Sequence, residues 1–131
     1  MKRILGLIAV LAALSTSFPA LAQSQERMRF QAGNDNAHAE SAVRGDQYRD
    51  YVLSARGGQR IYVSLSTKGT AYFNILPPGS DGEAIYNSSQ SGNDGGVTLP
   101  TSGDYRVRVY LMGADASENK RVSYTLSVGI N

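Results

Sequence analysis

The chain has no cysteine and only one histidine, His38. Without cysteine there is no disulfide, no thiolate metal ligand and no thiol nucleophile. A lone histidine leaves a catalytic zinc centre short of ligands, and a serine hydrolase would need that imidazole beside both a nucleophile and an orienting carboxylate. His38 lies between alanines on an outward strand position, and no Gly-x-Ser-x-Gly elbow occurs. Helical patterning is also missing: past residue 22, apolar residues never recur at three and four spacing over a useful length. No later stretch is apolar enough to span a bilayer.

The one long apolar run, Ile4 to Leu14, follows Lys2 and Arg3 and precedes Ala20-Leu21-Ala22. A short positive start, an apolar middle and an Ala-x-Ala site are what a signal peptidase reads, so cleavage after Ala22 is expected. With no lipobox cysteine, the expected product is exported and free of the membrane. Residues 1–22 are thus the signal peptide and residues 23–131 a single domain. Of the 13 Lys and Arg residues, Lys2 and Arg3 leave with the leader, so eleven basic residues face eleven acidic ones. The basic pI belongs to the discarded segment and gives no reason to expect a nucleic-acid partner.

What the mature chain does hold is alternation. Ile61, Val63 and Leu65 point one way and Tyr62, Ser64 and Ser66 the other; Val122, Tyr124, Leu126, Val128 and Ile130 alternate with Ser123, Thr125 and Ser127. Period two with β-branched and aromatic residues means strand. Similar runs start at Ala37, Tyr48 and Ala71, with turn signals at Gly45-Asp46, Gly57-Gly58, Lys68-Gly69 and Pro77-Pro78-Gly79. Residues 23–27 read as a loose polar start, Met28 and Phe30 as an entering strand, and 80–96 as loop with a short strand near Ala84–Tyr86. The expected fold is all-β: an antiparallel β-sandwich of jelly-roll type with about seven or eight short strands.

The organising stretch is Leu99 to Lys120. A turn, Leu99-Pro100-Thr101-Ser102-Gly103, leads into a strand with Tyr105, Val107, Val109 and Leu111 inward and Arg106, Arg108 and Tyr110 outward. It leaves through Gly113–Lys120, too rich in Asp, Ser, Asn and Gly to be core. If the protein acts by binding, this loop and its spatial neighbours are the expected contact. The carboxylates are scattered; a glycosidase pair needs two about 5–9 Å apart, and nothing in the order of residues selects one. Gly33-Asn34-Asp35-Asn36 and Gly92-Asn93-Asp94-Gly95 offer oxygens to calcium, but neither has the spacing of a dedicated loop and ordinary turn chemistry accounts for both. Tyr51, Tyr105 and Tyr124 share the parity of buried positions. Tyr62 and Tyr110 point outward, either as a recognition surface or as cross-strand packing.

Taken together, Arg29-Phe30-x-x-Gly33, Gly45-x-x-Tyr48-x-x-Tyr51, Ala55-x-x-Gly58-Gln59, Val63-Ser64-Leu65-Ser66, Leu99-Pro100-x-Ser102-Gly103-x-Tyr105-x-x-Arg108-Val109 and Asn119-Lys120 resemble the periplasmic inhibitors of g-type (goose-type) lysozyme across almost the whole mature chain. The Ser-Gly-x-Tyr element is shared with the bacterial pre-peptidase C-terminal sandwiches. The resemblance implies a periplasmic, non-enzymatic sandwich of a Gram-negative bacterium, without cofactor or metal, whose loops block the peptidoglycan-binding cleft of a g-type lysozyme and so evade host or competitor defence. The implied contacts are Asp46, Met112, Gly113, Asp115 and Ser117. Where the family's loop carries arginines this chain has Gly113 and Ser117, and Asp46 replaces a turn tyrosine. Glycine and serine cannot make the bidentate bonds of a guanidinium. The alternative reading is a pre-peptidase-like module that binds envelope glycan or protein.

Overall fold

A computed structural model describes residues 23–30 and 35–131. The expected signal peptide, and Gly33-Asn34 of the first Gly-Asn-Asp tract, lie outside the described residues. The strands are β1 (Gln23–Arg27), β2 (Asn36–Arg44), β3 (Tyr48–Ala55), β4 (Arg60–Thr67), β5 (Ala71–Leu76), β6 (Tyr86–Asn87), β7 (Asp94–Thr98), β8 (Gly103–Leu111) and β9 (Arg121–Ile130). Two short helical turns, α1 (Ser88–Ser91) and α2 (Gly113–Ser117), interrupt the sequence of strands. The strands form two sheets, a five-stranded one in the order β1-β3-β8-β5-β6 and a four-stranded one in the order β2-β9-β4-β7.

The alternation places the core where the sequence puts it. Leu53, Phe73, Ile75, Val107 and Val109 from the first sheet meet Ile61, Val63, Leu126 and Val128 from the second, all but fully buried. Burying such side chains contributes about 1.5–3 kcal/mol apiece. Between the sheets, the hydroxyls of Tyr51 on β3 and Tyr124 on β9 lie 2.6 Å apart, buried, with their rings edge to face. Each thereby satisfies a polar group that would otherwise sit unpaired in the core. Burial pushes both hydroxyls above the ordinary tyrosine range.

Among the described residues nine strands stand where seven or eight were expected. The polar start, residues 23–27, is a strand rather than a loose end, and it runs parallel to β3, whereas the other pairings among the described residues are antiparallel. Its side chains show no alternation because an edge strand without an apolar face is held by its backbone ladder and by ion pairs: Arg27 with Asp104 at 2.9 Å and Glu26 with Arg49 at 3.0 Å. Met28, expected inside the entering strand, instead follows it, with its amide donating to the Val52 carbonyl at 2.8 Å. β7 begins inside the presumed loop because Gly95 and Gly96 carry no side chains to reveal a period.

The Ser-Gly-x-Tyr element forms a corner. The buried Tyr105 hydroxyl donates to the Thr101 carbonyl and accepts from the Thr101 amide at 3.2 Å, while Ser102 Oγ accepts from the Gly57 amide at 2.9 Å. A Cβ on Gly103 would lie 2.8 Å from the Pro78 ring. Three connections are thus tied at one end of the sandwich.

The hydroxyl pair predicts a specific pattern. Tyr51→Phe or Tyr124→Phe alone strands the partner's hydroxyl and should lower unfolding stability by about 1–3 kcal/mol. The double variant should cost less than the two singles combined, measured by urea denaturation at pH 7.

Candidate functional site

The opposite end of the sandwich carries the loops singled out from the sequence. Tyr48 pairs with Tyr110 across β3 and β8, and Ala71 with Leu111 across β5 and β8. That register brings the β2–β3 turn, the β4–β5 turn and the β8–β9 connection to one edge. The last is not an extended loop: Gly113–Ser117 winds into the single helical turn α2.

Backbone and side chains fasten α2 from both flanks. On one side the Met112 amide donates to the Thr70 carbonyl at 3.1 Å and the Thr70 hydroxyl donates to the Met112 carbonyl at 2.7 Å. Asp115 Oδ2 accepts from the Thr70 amide at 2.8 Å and lies 2.8 Å from the Thr70 hydroxyl, whose single proton it shares with the Met112 carbonyl. On the other, the Gly45 amide donates to the Lys120 carbonyl at 2.9 Å and Arg44 donates to the Asn119 carbonyl at 3.0 Å. Gly45 has φ +61°, and a Cβ there would stand 2.5 Å from Asn119 Oδ1, so glycine lets the turn dock without strain and without displacing the Asn119 side chain. Asn119 itself adopts φ 56°, a left-handed conformation that asparagine tolerates.

Three of the expected contact residues converge. Asp46, Gly113 and Ser117 line one open hollow of about 450 Å³ with Ala116 and Asn119. Met112 stands exposed at the start of α2. Asp115 does not join them: its carboxylate turns to the opposite side, toward Thr70 and the hollow lined by Lys68, Lys120 and Arg121. Sequence reasoning had no means to see this, since an Asp in a polar loop reads the same whether it faces a partner or its own backbone. The Thr70 amide, and then its hydroxyl, hold the Asp115 carboxyl below the usual carboxylate range.

Elsewhere the outward tyrosines divide. Tyr62 is exposed. Tyr110 is half-buried as cross-strand packing, donating to Asn74 Oδ1 at 3.0 Å beside the tilted Tyr72 ring. A charged cluster missed in the sequence lies on the same sheet face. Arg108 grips Asp50 with Nε to Oδ1 at 2.8 Å and Nη2 to Oδ2 at 3.0 Å, stacks 3.9 Å from the Tyr48 ring centroid, and leaves Asp50 buried. The signal available was the placement of Arg106 and Arg108 opposite Asp50, readable only once the β3–β8 register is known. His38 is a surface residue with Nδ1 2.9 Å from Ser127 Oγ. In the second Gly-Asn-Asp tract, Asn93 donates to the Ala71 carbonyl at 3.1 Å and Asp94 accepts from Ser64. No group of three or more His, Cys, Asp or Glu side chains gathers among the described residues.

No protein-family model matches the chain. Among curated proteins it is 30% identical over 123 residues to the inhibitor of g-type lysozyme of Escherichia coli K12, covering 92% of each chain. Among solved structures it is similar to PliG of Aeromonas hydrophila, a periplasmic lysozyme inhibitor of g-type lysozyme, with a TM-score of 0.78 and 28% identity over 83% of this chain and 97% of that one. PliG of Salmonella Typhimurium gives 0.66 and 32% identity over 82% of this chain and 99% of that one. The pre-peptidase C-terminal domain of Bacillus anthracis collagenase, 10% identical with a TM-score of 0.55 over 88% of this chain and all of that one, shares the fold alone.

The Asp115 latch has a measurable consequence. Asp115→Ala should speed amide exchange at Glu118 and Lys120, which α2 now protects, and lower the melting temperature at pH 7. Because the folded carboxyl titrates below its unfolded value, this contribution is present above about pH 4 and fades as pH falls through the folded value. The melting gap between wild type and variant should therefore be flat near neutrality and close in acid.

Proposed function

Since the chain belongs to the family of inhibitors of g-type lysozyme, we propose that it is itself a periplasmic inhibitor of such an enzyme, acting by occupancy and not by turnover. The α2 end enters the peptidoglycan-binding cleft, with Asp46, Met112, Gly113 and Ser117 on the contact surface and Asp115 behind it as the latch. The observation that carries this reading is the double fastening of α2 to Thr70 and to the Gly45 turn. A protruding element already held by its own bonds loses little further freedom when it docks, so more of the contact energy appears as affinity. Cleft hydrogen-bonding groups left open for sugar are available to the backbone and side chains of this edge.

The reading also explains how a loop without arginine is built. Gly113 sits at φ +65° with nothing within 4 Å of its would-be Cβ. There is room for a side chain, but the left-handed backbone makes a non-glycine residue cost about 1 kcal/mol there. Ser117, exposed and outside that constraint, is the position where a guanidinium can be installed without strain.

The test is a turbidity assay on a cell-wall suspension. The protein should slow a g-type lysozyme and leave a c-type enzyme untouched; full g-type activity at a large molar excess of the protein defeats the reading. Ser117→Arg should lower the half-inhibitory concentration severalfold, by about tenfold for a bidentate carboxylate contact. Gly113→Arg should give a smaller gain and a lower melting temperature.

A further inference from the structure

The outer faces of the two sheets differ. The five-stranded sheet closes its own face with the Asp50–Arg108–Tyr48 and Tyr110–Asn74 contacts. The four-stranded sheet does so only in part, through the His38–Ser127 and Ser64–Asp94 contacts. There Tyr62 on β4 is flanked in register by Gly96 on β7 and by Gly129 on β9, so no cross-strand side chain covers its ring on either side, and it remains 47% exposed.

The ring leans toward β7. A Cβ on Gly96 would fall 3.0 Å from Tyr62 Cδ1, and Arg60 lies 5.2 Å from the ring centroid while donating to the Gly96 carbonyl and to Thr98 Oγ1 at 3.4 Å each. The ring is thereby oriented from one side. Beside it opens a trough of about 520 Å³, within the range of small-ligand sites. Its lining includes Tyr62, Ser64, Ser127 and Gly129, with Asp94 and Asn36 among its polar residues. Gly129 keeps it open, because a Cβ there would meet Asn36 Oδ1 at 2.8 Å.

We propose that this trough binds a short neutral oligosaccharide, one sugar ring stacking on Tyr62 and its hydroxyls donating to Asp94 and Asn36. The chemistry selects that class. An oriented aromatic wall offers a flat apolar surface to the C–H face of a pyranose. The carboxylates of Asp35 and Asp94 repel anions such as nucleic acid, and a second cation gains little on a ring that Arg60 already approaches. What fits is a ligand with one apolar face and many hydroxyl donors. The site lies at the Asn36–Gly129 end of the β2–β9 ladder, eight residues from the Arg44–Arg121 pair beside α2, or roughly 25 Å at strand rise. It is therefore independent of the inhibitory reading.

The experiment titrates the ¹⁵N-labelled protein with chitotriose and, separately, with cellotriose, following amide shifts. Saturable shifts confined to Tyr62, Ser64, Asp94, Gly96, Ser127 and Gly129 are expected with at least one trisaccharide; a preference for chitotriose assigns the acetamido-bearing glycans as the source, and equal binding assigns the plain hexose ring. Tyr62→Ala should weaken binding by about tenfold and Tyr62→Phe should retain it, both with wild-type melting temperatures and unchanged lysozyme inhibition. Asp94→Asn should weaken it by a smaller factor. The proposal is overturned if neither sugar shifts these amides up to its solubility limit, or if Tyr62→Ala binds as wild type does.

Discussion

One-sided burial of β8 between β3 and β5 is the constraint on which the rest of the molecule depends. Its inward residues, Tyr105, Val107, Val109 and Leu111, are buried, and a slip of one residue would turn all of them to solvent and carry Arg106 and Arg108 into the core. The register is therefore strongly determined, and both ends of the strand inherit it. At one end Gly103 and Tyr105 make the corner that gathers three connections. At the other, Leu111 opposite Ala71 sets α2 against the β4–β5 turn.

From that placement follows a division of labour between the groups that hold α2 and the groups it shows. Thr70, Asp115, Gly45 and Asn119 spend their hydrogen-bonding capacity inside the molecule. Asp46, Gly113 and Ser117 line a hollow that opens to solvent. A polar loop of this composition left to itself would sample many conformations, and ordering it on contact would erode affinity. The latch holds it in one conformation instead. The same logic distinguishes the two sheet faces: self-satisfied side chains close one, while on the other the paired glycines Gly96 and Gly129 leave the Tyr62 ring without a cross-strand neighbour.

Resemblance and physics meet at different positions. The Ser-Gly-x-Tyr element is explained by the corner it builds. Gly113 and Ser117 lie on the exposed surface of α2, where nothing in the packing dictates the residue except the positive φ at Gly113.

The amino-acid order by itself determined the all-strand sandwich, the boundaries of its alternating strands, the burial of Tyr51, Tyr105 and Tyr124, and the turns at Gly45 and Gly57-Gly58, because period two and turn chemistry are local properties that survive without knowledge of neighbours. It also singled out the polar run after β8 as the candidate contact. Tertiary structure alone decided that residues 23–27 pair in parallel with β3, that Asp50 lies buried under Arg108, that Tyr110 packs while Tyr62 stands free, and that Asp115 faces Thr70 instead of the hollow shared by Asp46, Gly113 and Ser117. Each of these rests on which residue lies opposite which across strands distant in sequence. A carboxylate or a tyrosine carries no local mark of its partner until the sheet register supplies one.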